Sequence, residues 1–352
     1  MRSILVTGGA GFIGSHTCVS LLEKGYHLIV IDSFVNSSLI VIDRIDKLLL
    51  NTGIRFEDRF ILYKGDVRDN RLLNTIFEDS FSTNRPIQAV IHFAGLKSVS
   101  ESVAKPALYW DANLIGSISL LNVMEKYNCR TLIFSSSATI YGSIDKSPIF
   151  EDSGIRPINP YGTTKAAIES FLHDIYNSKS LQWRIANLRY FNPVGAHPSG
   201  LIGEDPSDRP SNLFPYICQV AIGRRKSLKI YGNNWPTADG TGVRDYIHVM
   251  DLADAHIATL EYLLEGEPQI INLNIGTGIG TSVLEMVQTF EKVNSCKIPY
   301  IFTQRRAGDV AISFASNKLA LSTLKWITKK TLDDICRDGW NWQRLNPYGY
   351  SK

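Results

Sequence analysis

Runs of consecutive apolar residues recur through the first half of the chain, at 4–6, 28–31, 60–64, 89–93, 131–135 and 183–188. Each is short, bounded by turn residues and rich in Ile, Val, Leu and Phe, as strands buried on both faces are. Between them lie stretches in which apolar positions recur every three or four residues, at 13–24, 72–79, 107–126 and 161–177, and these predict helices. Strands and helices alternating in this way predict an α/β fold, a Rossmann-type doubly wound parallel sheet with right-handed crossovers.

The texture changes near residue 190. Residues 192–215 are dense in Pro, Gly, Asn and Asp and read as a loop-rich excursion, after which helical patterns resume at 215–223, 250–264 and 283–294. The division expected is a dinucleotide-binding domain over 1–190, with a return segment at about 244–264, and a smaller, loop-rich α/β domain over 191–352.

Composition narrows the function. The chain has 352 residues, 44% hydrophobic and 20% charged, with a formal net charge of +3. So small an excess excludes a general field for nucleic acid or an anionic membrane, so any anion must be held by a few placed cations. The sequence enters its first strand at once, without an apolar leader or a membrane-length apolar run. The five cysteines are scattered and lack a CxxC pair. A cytoplasmic protein is the expectation. The seven histidines form no ligand pair such as HExxH, so no metal site is expected.

The first strand runs into Thr7-Gly8-Gly9-Ala10-Gly11-Phe12-Ile13-Gly14, directly before a helix. Glycines at 8, 11 and 14 permit a tight turn, close approach to a pyrophosphate and close helix packing, while the helix start offers free N–H groups. The second strand ends at Asp32, placed for ribose hydroxyls, and no arginine follows in Ser33-Phe34-Val35-Asn36-Ser37, which favours NAD over NADP. A second glycine cluster, from Gly276 to Gly280, lacks the P-loop lysine; it reads as a turn with Thr281 or Ser282 capping the next helix.

The fifth strand closes in Ser135-Ser136-Ser137-Ala138-Thr139, and the following helix opens on Tyr161-Gly162-Thr163-Thr164-Lys165. Spacing of four puts Tyr161 and Lys165 on one helix face, and both segments belong at the carboxyl edge of the sheet, where such folds bind ligands. A phenol deprotonated with help from the lysine ammonium can act as a base toward a hydroxyl.

Together these motifs resemble the extended short-chain dehydrogenase/reductase family, and specifically its UDP-glucose 4-epimerases. Also similar are Phe93-Ala94-Gly95-Leu96-Lys97, the segment from Arg189-Tyr190-Phe191-Asn192 to Gly200, Gly240 to Val249, Arg305-Arg306-Ala307-Gly308-Asp309 and Trp340-Asn341-Trp342-Gln343. The resemblance implies Tyr161, Lys165 and Ser137 as catalytic residues, NAD as resident cofactor, and a UDP-sugar oxidised to a 4-keto sugar and reduced from its other face. For NAD it implies Gly8, Gly11, Phe12, Ile13, Gly14, Asp32, Asn36, Ser37, Asp66, Val67, Phe93, Ala94, Gly95, Lys97, Asn113, Tyr161, Lys165 and Phe191. For the UDP-sugar it implies Lys97, Ser137, Ala138, Thr139, Tyr161, Asn192, Asn212, Leu213, Lys229, Ile230, Tyr231, Arg244, Arg306, Asp309 and Ser313. A homodimer is expected on the same ground.

Two departures matter. Ala112 stands where the family often has the first of two asparagines, so one polar contact near the cofactor is missing. In the family it resembles, the bulk of one residue gates the sugar's 2-substituent, and that position is Ser313 here; the resemblance therefore implies turnover of UDP-N-acetylglucosamine and UDP-N-acetylgalactosamine as well. The alternatives are a 4,6-dehydratase or decarboxylase on the same fold, but Ser137-Ala138-Thr139 lacks the acidic pair a dehydratase carries after its Ser/Thr.

Overall fold

The computed structural model describes residues 1–50, 52–144, 146–178, 182–206, 212–306 and 308–350. Its centre is a seven-stranded sheet in the order Gln269–Ile275, Arg184–Tyr190, Thr131–Ser137, Ile87–His92, Ser3–Thr7, His27–Asp32 and Phe60–Lys64, every neighbouring pair parallel. The six apolar runs named above all fall in this sheet. The seventh strand, QIINLNI, is interrupted by Gln269, Asn272 and Asn274 and is not among the strands that the apolar runs predict.

Helices cover both faces, and residue parity decides which face each strand position meets. Ile4, Val6, Leu28 and Val30 pack with Cys18 and Leu22 of the helix Phe12–Glu23 and with Leu252 and Leu260 of the helix Val249–Glu265. Leu5, Ile29 and Ile31 pack oppositely, with Leu73 and Phe77 of the helix Asn70–Ser82, Leu120 of Gly116–Lys126 and Ile168 of Pro160–Asn177. Each such buried aliphatic side chain contributes roughly 1.5–3 kcal/mol against exposure. Cys18, Cys129, Cys218 and Cys336 are buried and Cys296 half-buried, all as free thiols.

A separate apolar cluster joins the helices Leu213–Ala221, Val283–Asn294 and Leu332–Leu345 through Phe214, Ile217, Phe290 and Ile335. Short strands flank it: Leu228–Tyr231 pairs with Tyr300–Thr303, and Val243–Arg244 lies between Thr281–Ser282 and Ile312–Ser313. Ser282 does cap the helix Val283–Asn294, in a capping box with Glu285. Within the excursion at 192–215, residues 207–211 lie outside the described residues, as does Ala307 of the double-arginine block.

The segment 107–126 departs from the single helix its periodicity predicts. It divides into Pro106–Tyr109, a π-helical stretch Trp110–Ile115 and the helix Gly116–Lys126. Wide turns of this kind re-aim side chains and concentrate at functional sites. Ala112 and Asn113 both lie in it.

Candidate active site

The glycine loop leaves no room for a side chain at Gly8 or Gly14. A Cβ on Gly8, whose φ is +70°, would lie 2.8 Å from the Ala94 nitrogen, and one on Gly14 only 2.2 Å from the Gly8 carbonyl oxygen. Gly11 caps the helix Phe12–Glu23 without a side-chain hydrogen bond, so the backbone of Phe12, Ile13 and Gly14 opens a bare helix start beside the loop. Asp32 is 7% exposed; its Oδ2 accepts from the Ala10 N–H, and its Oδ1 from the Phe34 N–H and the Ser37 hydroxyl at 2.8 Å. A backbone cradle for pyrophosphate with a carboxylate at the end of the next strand fits NAD.

The other residues expected around NAD spread along the same edge. Asn36 is exposed next to Ser37. Asp66 is paired with Arg68 at 2.6 Å, a bond that holds its carboxyl below the usual range, and Arg68 also reaches Asp111. Val67 is buried beneath Gly116, where a Cβ would meet its Cγ2 at 2.9 Å. The Phe93 and Ala94 amides donate to the carbonyl and hydroxyl of Thr7, which ties this loop to the glycine turn. Asn113 is 2% exposed, and its amide is engaged: Oδ1 accepts from the Leu96 N–H, while Nδ2 donates to Leu96 O and to the Thr164 hydroxyl. It fixes the Gly95–Leu96 turn from behind. Phe191 is buried with Ile140, Tyr141, Ile149 and Ala315.

Pro160 and Asn159 set the helix that carries the tyrosine. Pro160 occupies the first helical turn, where its missing N–H costs nothing, and the Asn159 side chain accepts from the Gly162 N–H. One turn in, Lys165 is 4% exposed; its Nζ donates to the Ser135 carbonyl at 2.6 Å and lies 5.9 Å from the Tyr161 ring centroid. Burial lowers the Lys165 pKa to about 8, against the opposing charge of Glu169. Ser137 ends its strand with its hydroxyl accepting from the Thr139 N–H and hydroxyl, which fixes Ala138 and Thr139 in a single 3₁₀ turn.

The Tyr161 phenol itself is half-buried. Burial raises its pKa above the ordinary value, and the Ser137 hydroxyl acts the other way. Lys165 spends its short hydrogen bond on the Ser135 carbonyl, one helical turn behind the phenol.

Arg244, Arg306, Asp309 and Tyr231 form one cluster. Asp309 lies 3.2 Å from Arg306 Nε and 4.0 Å from Arg244 Nη2, and the Arg306 guanidinium sits 4.5 Å from the Tyr231 ring centroid. Ser313 is the register partner of Arg244. Lys229 and Tyr231 face outward from their strand, whereas Ile230 is 1% exposed in the core and offers only its backbone. Asn192 pairs by its N–H with the Asp245 carbonyl. Asn212 precedes Leu213 at the start of the helix Leu213–Ala221, and it converges with Lys97 on Glu204, at 3.5 and 2.9 Å.

Two groups important to this geometry gave no local sequence signal. Asp245, fully buried, accepts from Thr277 N and Oγ1, Gly278 N and Ala315 N, and so wraps the second glycine cluster around itself. A Cβ on Gly276 would sit 2.5 Å from its carboxylate. The other is the Glu169–Arg189 pair, 2.7 Å apart and almost wholly buried.

Fold and site together define a dinucleotide-binding protein of the short-chain dehydrogenase/reductase class. Residues 5–339 match the family model described as GDP-mannose 4,6 dehydratase. UDP-glucose 4-epimerase 2 of Arabidopsis thaliana is 51% identical over 350 residues, covering 99% of this chain and 97% of its own. The solved UDP-glucose-4-epimerase of Stenotrophomonas maltophila, with bound NAD and formylated UDP-arabinopyranose, superimposes with a TM-score of 0.92 at 45% identity, covering 98% of both chains. That of Bifidobacterium longum, in complex with NAD+ and UDP, gives 0.90 at 45% identity over 99% of this chain and 100% of its own. The chain belongs to the UDP-glucose 4-epimerase family.

Proposed function

We propose that this protein interconverts UDP-galactose and UDP-glucose, with NAD as a bound cofactor. The observation that carries the reading is the convergence of Ser137, Tyr161 and Lys165 at the carboxyl edge of the sheet, beside the Gly8–Gly14 cradle and Asp32. When bound, NAD supplies the acceptor, and later the donor, of the hydrogen on C4 of the sugar.

The chain's own groups do the rest. Tyr161 takes the proton of the 4-hydroxyl as the sugar is oxidised and gives it back on reduction. The Ser137 hydroxyl, fixed by Thr139, orients the C4 oxygen. Lys165, charged at neutral pH, supplies a cation beside the phenol and is itself aimed by the Ser135 carbonyl. Arg244 and Arg306, with forked permanent charges, suit the diphosphate, and Tyr231 and Asp309 complete the nucleotide grip. The sugar must turn over between the two transfers, so tight binding belongs at the nucleotide end and loose binding around the hexose. Ser313 leaves room beside Arg244 for a 2-acetamido group, which extends the substrates to UDP-N-acetylglucosamine and UDP-N-acetylgalactosamine. A dehydratase is not favoured, because Ala138 and Thr139 supply no acid after Ser137.

Assembly and location follow the same reading. Val103, Leu108, Trp110 and Ile115 leave an apolar, exposed ridge on the helical segments after the fourth strand, which supports a homodimer through the cofactor half. Sedimentation equilibrium reads that directly, as a mass twice the 39.4 kDa of one chain. No helix among the described residues is long and apolar enough to cross a membrane. The free thiols support a cytoplasmic setting, which fractionation of the host cell tests. Incubation of the purified protein with UDP-galactose tests the activity: UDP-glucose forms, and Tyr161→Phe abolishes its formation. An unchanged rate in that variant would refute the proposed base.

A further inference from the structure

Behind the reacting groups lies a carboxylate that the reaction as described does not use. Glu169 stands four residues past Lys165, so Tyr161, Lys165 and Glu169 succeed one another on one face of the helix Pro160–Asn177. It is 2% exposed, and it takes Arg189 Nε at 3.1 Å and Nη2 at 2.7 Å and the Ser136 hydroxyl at 2.5 Å. Ser136 sits between Ser135, whose carbonyl receives Lys165, and Ser137.

The network continues past the ion pair. Arg189 Nη1 donates to the Tyr141 hydroxyl and the Glu151 carbonyl, at 2.9 and 2.8 Å. Tyr141 donates to Asn274 Oδ1, whose backbone N–H reaches Glu151 Oε1 and whose Nδ2 reaches Ile149 O. Ile149 in turn bridges to Ala315, two residues beyond Ser313. A buried ion pair is a poor way to gain stability, since apolar residues of like volume often serve better. What it provides here is direction: three strands and one helix meet at fixed spacing around the reacting edge.

We propose that Glu169 is a positioning residue for the epimerisation, locking the strand end Ser135–Ser137 to the helix that bears Tyr161 and Lys165 and placing a negative charge behind the Lys165 ammonium. This rests on the reading of Tyr161 as the base. The groups around Lys165, Tyr161 and Glu169 make the charge matter. His92, from the strand Ile87–His92, is buried, bonded to Thr7 and Ser117, and neutral with a pKa pushed down to about 3. Tyr190, from the strand Arg184–Tyr190, has its phenol pushed well up by burial, and Tyr161 is pushed up as well. Phe134 offers only its ring, 4.7 Å from Nζ, and Arg189 is a cation already paired with Glu169. Among the described residues, Glu169 is the anion that favours the charged lysine.

Two variants separate positioning from mere stability. Ser136→Ala cuts the carboxylate from the strand and leaves the ion pair; kcat on UDP-galactose falls about tenfold while KM stays within about twofold. Glu169→Gln/Arg189→Met removes both charges together, which avoids an orphaned buried ion, and moves the alkaline limb of the kcat–pH profile down by roughly one unit. A wild-type kcat in the first, or an unmoved limb in the folded second, overturns the proposal. Where the paired variant does not fold, Glu169→Asp decides, since it keeps the charge at shorter reach: a lowered kcat on an unmoved limb supports the proposal, and a wild-type kcat overturns it. Tyr161→Phe runs alongside; full activity there defeats the base reading itself, a result distinct from either of the others.

Discussion

Arg244 and Ser313 are register partners in the parallel pairing of Val243–Arg244 with Ile312–Ser313, so the cation assigned to the diphosphate and the residue assigned to the sugar's 2-position lie side by side. Neighbours on adjacent strands stand about 5 Å apart, within the span of one sugar ring and its phosphate. A bulky side chain at 313 therefore encroaches on the hexose and leaves the nucleotide untouched. Ser313→Tyr lowers turnover of UDP-N-acetylglucosamine at least about 100-fold and that of UDP-galactose less than about threefold. Parallel assays on the two sugars check this, and equal losses on both would count against the gating role.

The cofactor half was largely legible in the sequence, and the reason is physical. Strands buried on both faces read as unbroken apolar runs, and a pyrophosphate cradle demands glycines at positions where even a methyl group would strike backbone, as at Gly8 and Gly14. The strand Gln269–Ile275, at the sheet's edge, escaped notice because Gln269, Asn272 and Asn274 break up its apolar run. The π-helical turn at Trp110–Ile115 was hidden because its apolar residues keep a helical period. Glu169 and Arg189 are 20 positions apart on different elements, and Asp245 meets its partners 32 to 70 positions on. Charges whose value lies in long-range partners leave no local signature.

The pH dependence of activity has a stated direction. Lys165 is lowered from an ordinary lysine value to about 8 by burial, so its ammonium is lost as pH rises through that point. The kcat for UDP-galactose should be level near neutral pH and decline above about pH 8. Lys165→Met removes the limb along with most of the rate; a wild-type profile still level at pH 9.5 (about 1.5 units past that midpoint) would contradict the assignment.

Acid stability has its own source. His16, His92 and His256 are fully or almost fully buried, with pKa values held down to about 3, 3 and 4 by loss of solvent. An unfolded histidine takes its proton near 6.5. Between that value and the folded one the unfolded state binds more protons, so stability falls as pH is lowered. From pH 7 to pH 5 each of these histidines withdraws about 2 kcal/mol. Urea titrations at the two pH values measure the total drop, and His256→Gln should make it smaller by about one histidine's share. An equal drop in that variant would exclude His256 as a contributor.

Asp245 is the pin of the sugar-side wall. Its four accepted hydrogen bonds hold the Thr277–Gly278 turn and Ala315, next to the strand that carries Ser313. Asp245→Ala leaves those buried donors without partners and should lower stability by roughly 3 kcal/mol, with a KM for UDP-galactose raised more than kcat is lowered. Chemical denaturation and steady-state kinetics on the same preparation check both halves.

The central claim is that the hydrogen on C4 leaves the sugar and returns to the same carbon from the opposite side while Tyr161 handles only the proton on oxygen. UDP-galactose deuterated at C4, converted by the purified protein in ordinary water, measures this most directly. The account predicts UDP-glucose that keeps its deuterium at C4, and contradiction would come as product with protium there, drawn from solvent.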